Sequence, residues 1–114
     1  NMTVPTSSVF TVGNNAQVNA ASKNYIAYCW HSVEGYSKIG AYTGNGDADG
    51  VFVYTGFRPA FLMQKRINAS GQMWMMTDSV RDPYNAVDDY LQVNSTNAEA
   101  DYDFVDFTSN GFKQ

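Results

Sequence analysis

A chain of 114 residues fits one domain of common size, and 44% hydrophobic against 16% charged residues excludes a disordered polymer. The formal charge of −4 is unevenly spread, because Asp78, Asp82, Asp88, Asp89, Glu99, Asp101, Asp103 and Asp106 crowd the C-terminal third, where Arg81 is the only base before Lys113. That bias repels nucleic-acid backbones and anionic membranes, and no apolar run approaches the roughly 20 residues that span a bilayer, so neither nucleic acid nor membrane insertion is expected.

Residues 1–8 are rich in Thr, Ser and Pro and read as an extended lead-in. Residues 9–12 form a short strand candidate that ends at Gly13-Asn14-Asn15. Residues 25–33 are the strongest strand signal. Their two faces, Tyr25, Ala27, Cys29, His31, Val33 and Ile26, Tyr28, Trp30, Ser32, are both largely apolar, which predicts a central strand covered on both sides. Residues 38–43 and 51–55 are strands on either side of a small-residue acidic loop, and Gly56-Phe57-Arg58-Pro59 turns the chain.

Residues 60–67 and 72–77 read as a hairpin around Asn68-Ala69-Ser70-Gly71. Met63, Met73, Trp74, Met75 and Met76 read as core filler. Arg81-Asp82-Pro83-Tyr84-Asn85 is a run of turn formers, and residues 86–100 fit either a strand plus loop or a single helical turn. Residues 102–107 are a half-exposed strand in which Tyr and Phe alternate against Asp103 and Val105, and Ser109-Asn110-Gly111 turns it into Phe112-Lys113-Gln114. No window holds a helical period. The expectation is an all-β fold, an antiparallel β-sandwich of lectin-like or jelly-roll-like kind or an open barrel, with little or no helix in a single module over residues 1–114.

Asn45, Asp47 and Asp49 alternate around Gly46 and Gly50 like the first half of a calcium loop, so they are the candidate metal ligands and calcium the candidate cofactor. The bidentate acid of such a loop is missing, since Gly56 stands in its place, although Asp78 or Asp82 could be recruited. The alternative is a turn whose glycines permit positive φ while the Asn and Asp side chains cap local amides. Cys29 and His31 share a strand face without an orienting third group, and one Cys with one His cannot build a zinc site. No catalytic residue is assigned and no enzyme is expected. Tyr36, Tyr42, Tyr54, Trp74 and Tyr84, with Asn45, Asp47 and Asp49, are the candidates for stacking on and bonding to a sugar.

Residues 25–46, Asp49-Gly50, residues 53–61, 81–85 and 108–112 together resemble a β-rich domain of virion and tail-fibre-like structural proteins of tailed bacteriophages, marine phages and cyanophages above all. The resemblance covers most of the chain and is weakest over residues 86–103. It implies a sandwich fold and a non-enzymatic virion component, such as a fibre, spike or capsid-surface decoration, that assembles through sheet edges and faces. Its expected partners are copies of itself or other virion proteins, and a host-surface glycan under a carbohydrate-binding alternative. Residues 107–111 also echo residues 10–14, from which the chain is expected to be a fragment of a longer or repeat-containing protein, with neighbours supplied by tandem copies or other subunits.

Overall fold

The computed structural model describes residues 4–114, with Phe104 described by its backbone alone, so the first three residues of the expected lead-in lie outside it. Two compact units make up the chain, Asn1–Trp30 and His31–Gln114.

In the first unit, α1 (Ala16–Asn19) is a single turn. Asn15 caps it, its side-chain oxygen accepting from the Gln17 N–H at 2.8 Å. The Tyr25 hydroxyl reaches back to the same turn, donating to the Ala16 carbonyl at 2.7 Å and accepting from the Ala20 N–H at 2.9 Å. Tyr28 and Trp30 stack with ring centroids 6.1 Å apart. Neither residues 9–12 nor residues 25–33 join a described ladder, and the covering expected over residues 25–33 is absent: Ile26 is 78% and Trp30 65% exposed. A period-2 apolar pattern records readiness to pair and be covered, and pairing also requires a partner strand in register.

The second unit is one six-stranded sheet of β1 (Phe52–Tyr54), β2 (Phe61–Gln64), β3 (Met75–Asp78), β4 (Val87–Gln92), β5 (Ala100–Thr108) and β6 (Gly111–Lys113). Its order is β1-β6-β5-β4-β3-β2, with every neighbouring pair antiparallel. Strands β2 to β6 therefore run as a meander, β1 adds to the far side of β6, and β1 and β2 are the two edges. The all-β, antiparallel character read from the sequence holds, and the described strands belong to one sheet rather than to two facing layers.

The core explains the pairing of β1. Val53 stands opposite Phe112, and Phe112 opposite Phe107, so three apolar side chains lie in a row across β1, β6 and β5. Val87 opposite Val105 continues the same face. Among the described residues the buried hydrophobics are Val87, Val105, Phe107 and Phe112, with Val53 and Leu62 packed against them. Residues 38–43, the expected neighbour of β1, form no strand. They contribute Tyr42, whose ring meets Phe112 edge-on at 5.8 Å while its hydroxyl donates to Gln64 Oε1 at 2.5 Å. Phe107 shares the inward face with Val105, two residues away, which corrects the expected opposition of the aromatics to Val105.

The expected hairpin of β2 and β3 is present, but its ladder opens at Gln64 and Met75, so the connection is longer than the four-residue turn. Met73 and Trp74 fall in that connection and are partly exposed, while Met63, Met75 and Met76 lie in the strands. Residues 86–100 resolve into strand plus loop. Two glycines mark close approaches: a Cβ at Gly111 would strike the Val53 carbonyl oxygen, and one at Gly50 the Gln114 carbonyl oxygen.

Candidate functional site

The acidic loop is closed by its own side chains. The Asp47 N–H donates to Asn45 Oδ1 at 3.2 Å, the Asp49 N–H donates to Asp47 Oδ1 at 3.0 Å, and Asn45 Nδ2 donates to the Asp49 carbonyl at 3.1 Å. Gly46 has a φ of 73°, which an L side chain resists. The Asp49 carboxylate pairs with the Lys113 ammonium, whose hydrogen bond holds the Asp49 pKa below the usual carboxylate range and raises that of Lys113. The arrangement is a set of side-chain turns tethered to β6. Asp78 and Asp82, considered as recruits for this loop, are engaged elsewhere.

Asp78 Oδ1 accepts from the backbone N–H groups of Val80 and Arg81, and its Oδ2 accepts from Arg81 Nε at 2.7 Å. Those bonds, the Arg81 backbone N–H first, lower the Asp78 pKa. The Arg81 fork also donates to Glu99 Oε2 at 2.5 Å and to the Met76 carbonyl at 3.3 Å, so one guanidinium ties β3 to the loop ahead of β5. Asp82 Oδ2 accepts from the N–H groups of Asp88 and Asp89 at the start of β4, and the bond from Asp88 lowers its pKa.

Asn85 completes the run. Its Nδ2 donates to the Phe107 carbonyl at 3.0 Å and its Oδ1 accepts from the Phe107 N–H at 2.9 Å, so a side chain takes the place of a strand residue beside β5. The turn-former run is therefore a set of polar staples.

The carboxylates that converge are Asp82, Asp88 and Asp89, with an oxygen of each within 4.8 Å of the others. Asp88 has a raised pKa because its carboxyl shares a hydrogen bond with that of Asp82, and Asp89 because of lost hydration and the neighbouring charge of Glu99. This grouping was not visible in the sequence, since the turn after Asp82 folds it back onto β4.

The candidate sugar-binding rings are dispersed. Tyr42 lies against Phe112, and burial raises its pKa. Trp74 has the Lys65 ammonium 5.8 Å from its ring centroid. Tyr84 is 79% exposed beside Pro83. Tyr36 is exposed on a turn closed by two backbone bonds of 2.9 Å between Val33 and Ser37, with Gly35 at a φ of 71°.

That turn and the segment following β1 enclose a concavity of about 310 Å³, lined by Ser32, Glu34, Ser37, Lys38, Tyr54 and Gly56 among others. Of the sequence candidates only Tyr54 lines it. Glu34 and Lys38 were missed, and the available signal was Gly35, a tight-turn residue with a charged side chain on each side.

The family profile described as "Domain of unknown function (DUF7483)" matches residues 1–114, and the chain belongs to that family. No curated protein and no solved structure matches it.

Proposed function

We propose that this DUF7483 module is a non-enzymatic structural component of a bacteriophage virion, in a fibre, spike or capsid-surface decoration, that assembles with copies of itself or with other virion proteins. The observation that carries the reading is the exposure of Ile26, Tyr28, Trp30, Tyr36 and Ile39, each more than half open to solvent. Monomeric proteins seldom leave so many large apolar side chains uncovered within so short a stretch, and a neighbouring chain is the ordinary cover. The two open edges, β1 and β2, add unpaired backbone that a neighbour's strand can complete. The resemblance of residues 25–46 and 53–61 to phage structural proteins supplies the setting. The test is quantitative mass spectrometry of purified particles from a phage encoding the chain. A fixed number of copies per particle is expected, and absence from the particle refutes the proposal.

A second reading, a carbohydrate-binding module for host-surface glycans, is favoured by one observation: Tyr54 is exposed at the edge of a concavity that also holds a carboxylate and an ammonium. The two readings are compatible, because a virion surface component can also hold a sugar.

A further inference from the structure

We propose that the concavity between the Glu34–Lys38 side of the 33–37 turn and Tyr54 binds a single neutral pyranose ring; this rests on the carbohydrate reading above and assigns its site. The walls are fixed before any ligand arrives. On one side the Val33 and Ser37 backbones bond reciprocally, the Ser37 hydroxyl donates to the His31 carbonyl at 2.7 Å, and Ser32 Oγ accepts from the Ile39 N–H at 3.0 Å. On the other side the Thr55 and Gly56 N–H groups both donate to the Asn110 carbonyl, at 3.0 and 3.1 Å, and the Thr55 hydroxyl donates to the Phe57 carbonyl at 2.5 Å. Walls locked in this way reduce the ordering cost of binding.

The lining divides its labour. The hydroxyls of Ser32 and Ser37 are used inside the wall, whereas Glu34, Lys38 and Tyr54 have no side-chain partner among the described residues. A carboxylate that accepts, an ammonium that donates and a phenol that does both suit vicinal hydroxyls, each of which donates and accepts. The two charges cancel, so the site favours neither a phosphate nor a metal cation, and a neutral polyol satisfies both groups together. The Tyr54 ring supplies the flat apolar surface that one face of a pyranose covers, while its hydroxyl lies 3.6 Å from where a Cβ on Gly56 would sit, at a φ of 88°. A volume of about 310 Å³ is at the small end of ligand sites, which run from about 300 to 1,000 Å³, and this suits one ring rather than an oligosaccharide.

The experiment is a nitrogen-15 amide titration of the full chain with the methyl glycosides of glucose, galactose, mannose and N-acetylglucosamine. Saturable shifts are expected at residues 32–38 and 54–56 with at least one of them. Glu34→Gln is expected to weaken that binding about tenfold, the effect of losing a charged acceptor, and Tyr54→Ala about five- to tenfold. Glu34 is an exposed turn residue, so Glu34→Gln retains the wild-type spectrum and serves even if Tyr54→Ala does not fold. Saturable shifts confined to other residues, such as 44–50 or 74, overturn the site while the carbohydrate reading stands. No saturable shift with any glycoside overturns both.

Discussion

Replacing Asn85 tests the claim that polar staples carry much of this fold. Its amide bonds both backbone groups of Phe107, at 2.9 and 3.0 Å, and Phe107 is 2% exposed. Phe107 stands opposite Phe112 on the β6 side, and the sheet gives its N–H and carbonyl no strand partner on the other side except this side chain. Asn85→Ala therefore leaves one donor and one acceptor unpaired beside the core. An unsatisfied buried group costs about 1–3 kcal/mol, so the loss is expected at about 2–4 kcal/mol after some water enters. For a domain of this size that lowers the Tm by roughly 10–20 °C.

Urea unfolding of the variant gives the energy, and amide exchange at Phe107 gives its place. The midpoint should fall with an unchanged slope, and protection at Phe107 should drop further than at Met76 in β3. Asn85→Asp keeps the acceptor for the N–H and loses the donor to the carbonyl, so about half the cost is expected. Tyr84→Ala, at a neighbouring residue that is 79% exposed, is the control and should stay within about 0.5 kcal/mol. If Asn85→Ala also stays within that range, the staple contributes nothing and the reasoning fails.

Two further outcomes follow from the same geometry. Gly111→Ala places a Cβ against the Val53 carbonyl, which no side-chain rotation relieves, so β1 must move off β6; a loss of about 1–3 kcal/mol by urea unfolding is expected, and wild-type stability would show that β1 is not seated there. Asp88, whose folded pKa is raised, disfavours the fold while ionised, so its contribution improves as pH falls from neutral through that raised value and levels off below the ordinary aspartate pKa of about 4. Asp78 and Asp82, with lowered pKa values, contribute fully above about pH 4 and lose that contribution below it, as pH falls through their folded values. Asp88→Asn keeps a hydrogen-bond donor toward Asp82 without the charge, so it should stabilise at pH 7 and lose that advantage near pH 4. An equal effect at both pH values would remove the shared hydrogen bond from the account.

The legible parts of the sequence were those whose strand partners are local. The hairpin of β2 and β3 and the turn between β5 and β6 followed from alternation broken by turn residues, because each pairs with its neighbour in the chain. Residues 86–92 were opaque for a physical reason. The β4–β5 register shifts between Val87 and Asp89, and a bulge there breaks the period of two on which the reading depends. The partner of β1 was misread because β6 lies at the other end of the chain, and only the core row Val53, Phe112, Phe107 selects it. The acidic loop showed the opposite problem. Its residue types fit two chemistries, and only the bonds from the Asp47 and Asp49 amides reveal its self-capped geometry. The concavity was legible only at its Gly35 turn, because the fold alone brings Tyr54 to the same lining as Glu34 and Lys38.

The distribution of burial bears on how such a module works. Four hydrophobic residues are buried in the described core, and several of the bonds that fix strand positions come from Arg81, Asp82 and Asn85. Ile26, Tyr28 and Trp30 meanwhile remain largely open. Covering an apolar side chain of this size contributes about 1.5–3 kcal/mol, and the net stability of a whole domain is only about 5–15 kcal/mol. Covering those three in an assembly would therefore add an amount comparable to the stability of the module alone. If the module assembles as proposed, polar contacts hold it in register beforehand and its neighbours add a substantial share of its hydrophobic stabilisation. Its measured stability should then depend on protomer concentration, as mass action requires of any fold completed by association.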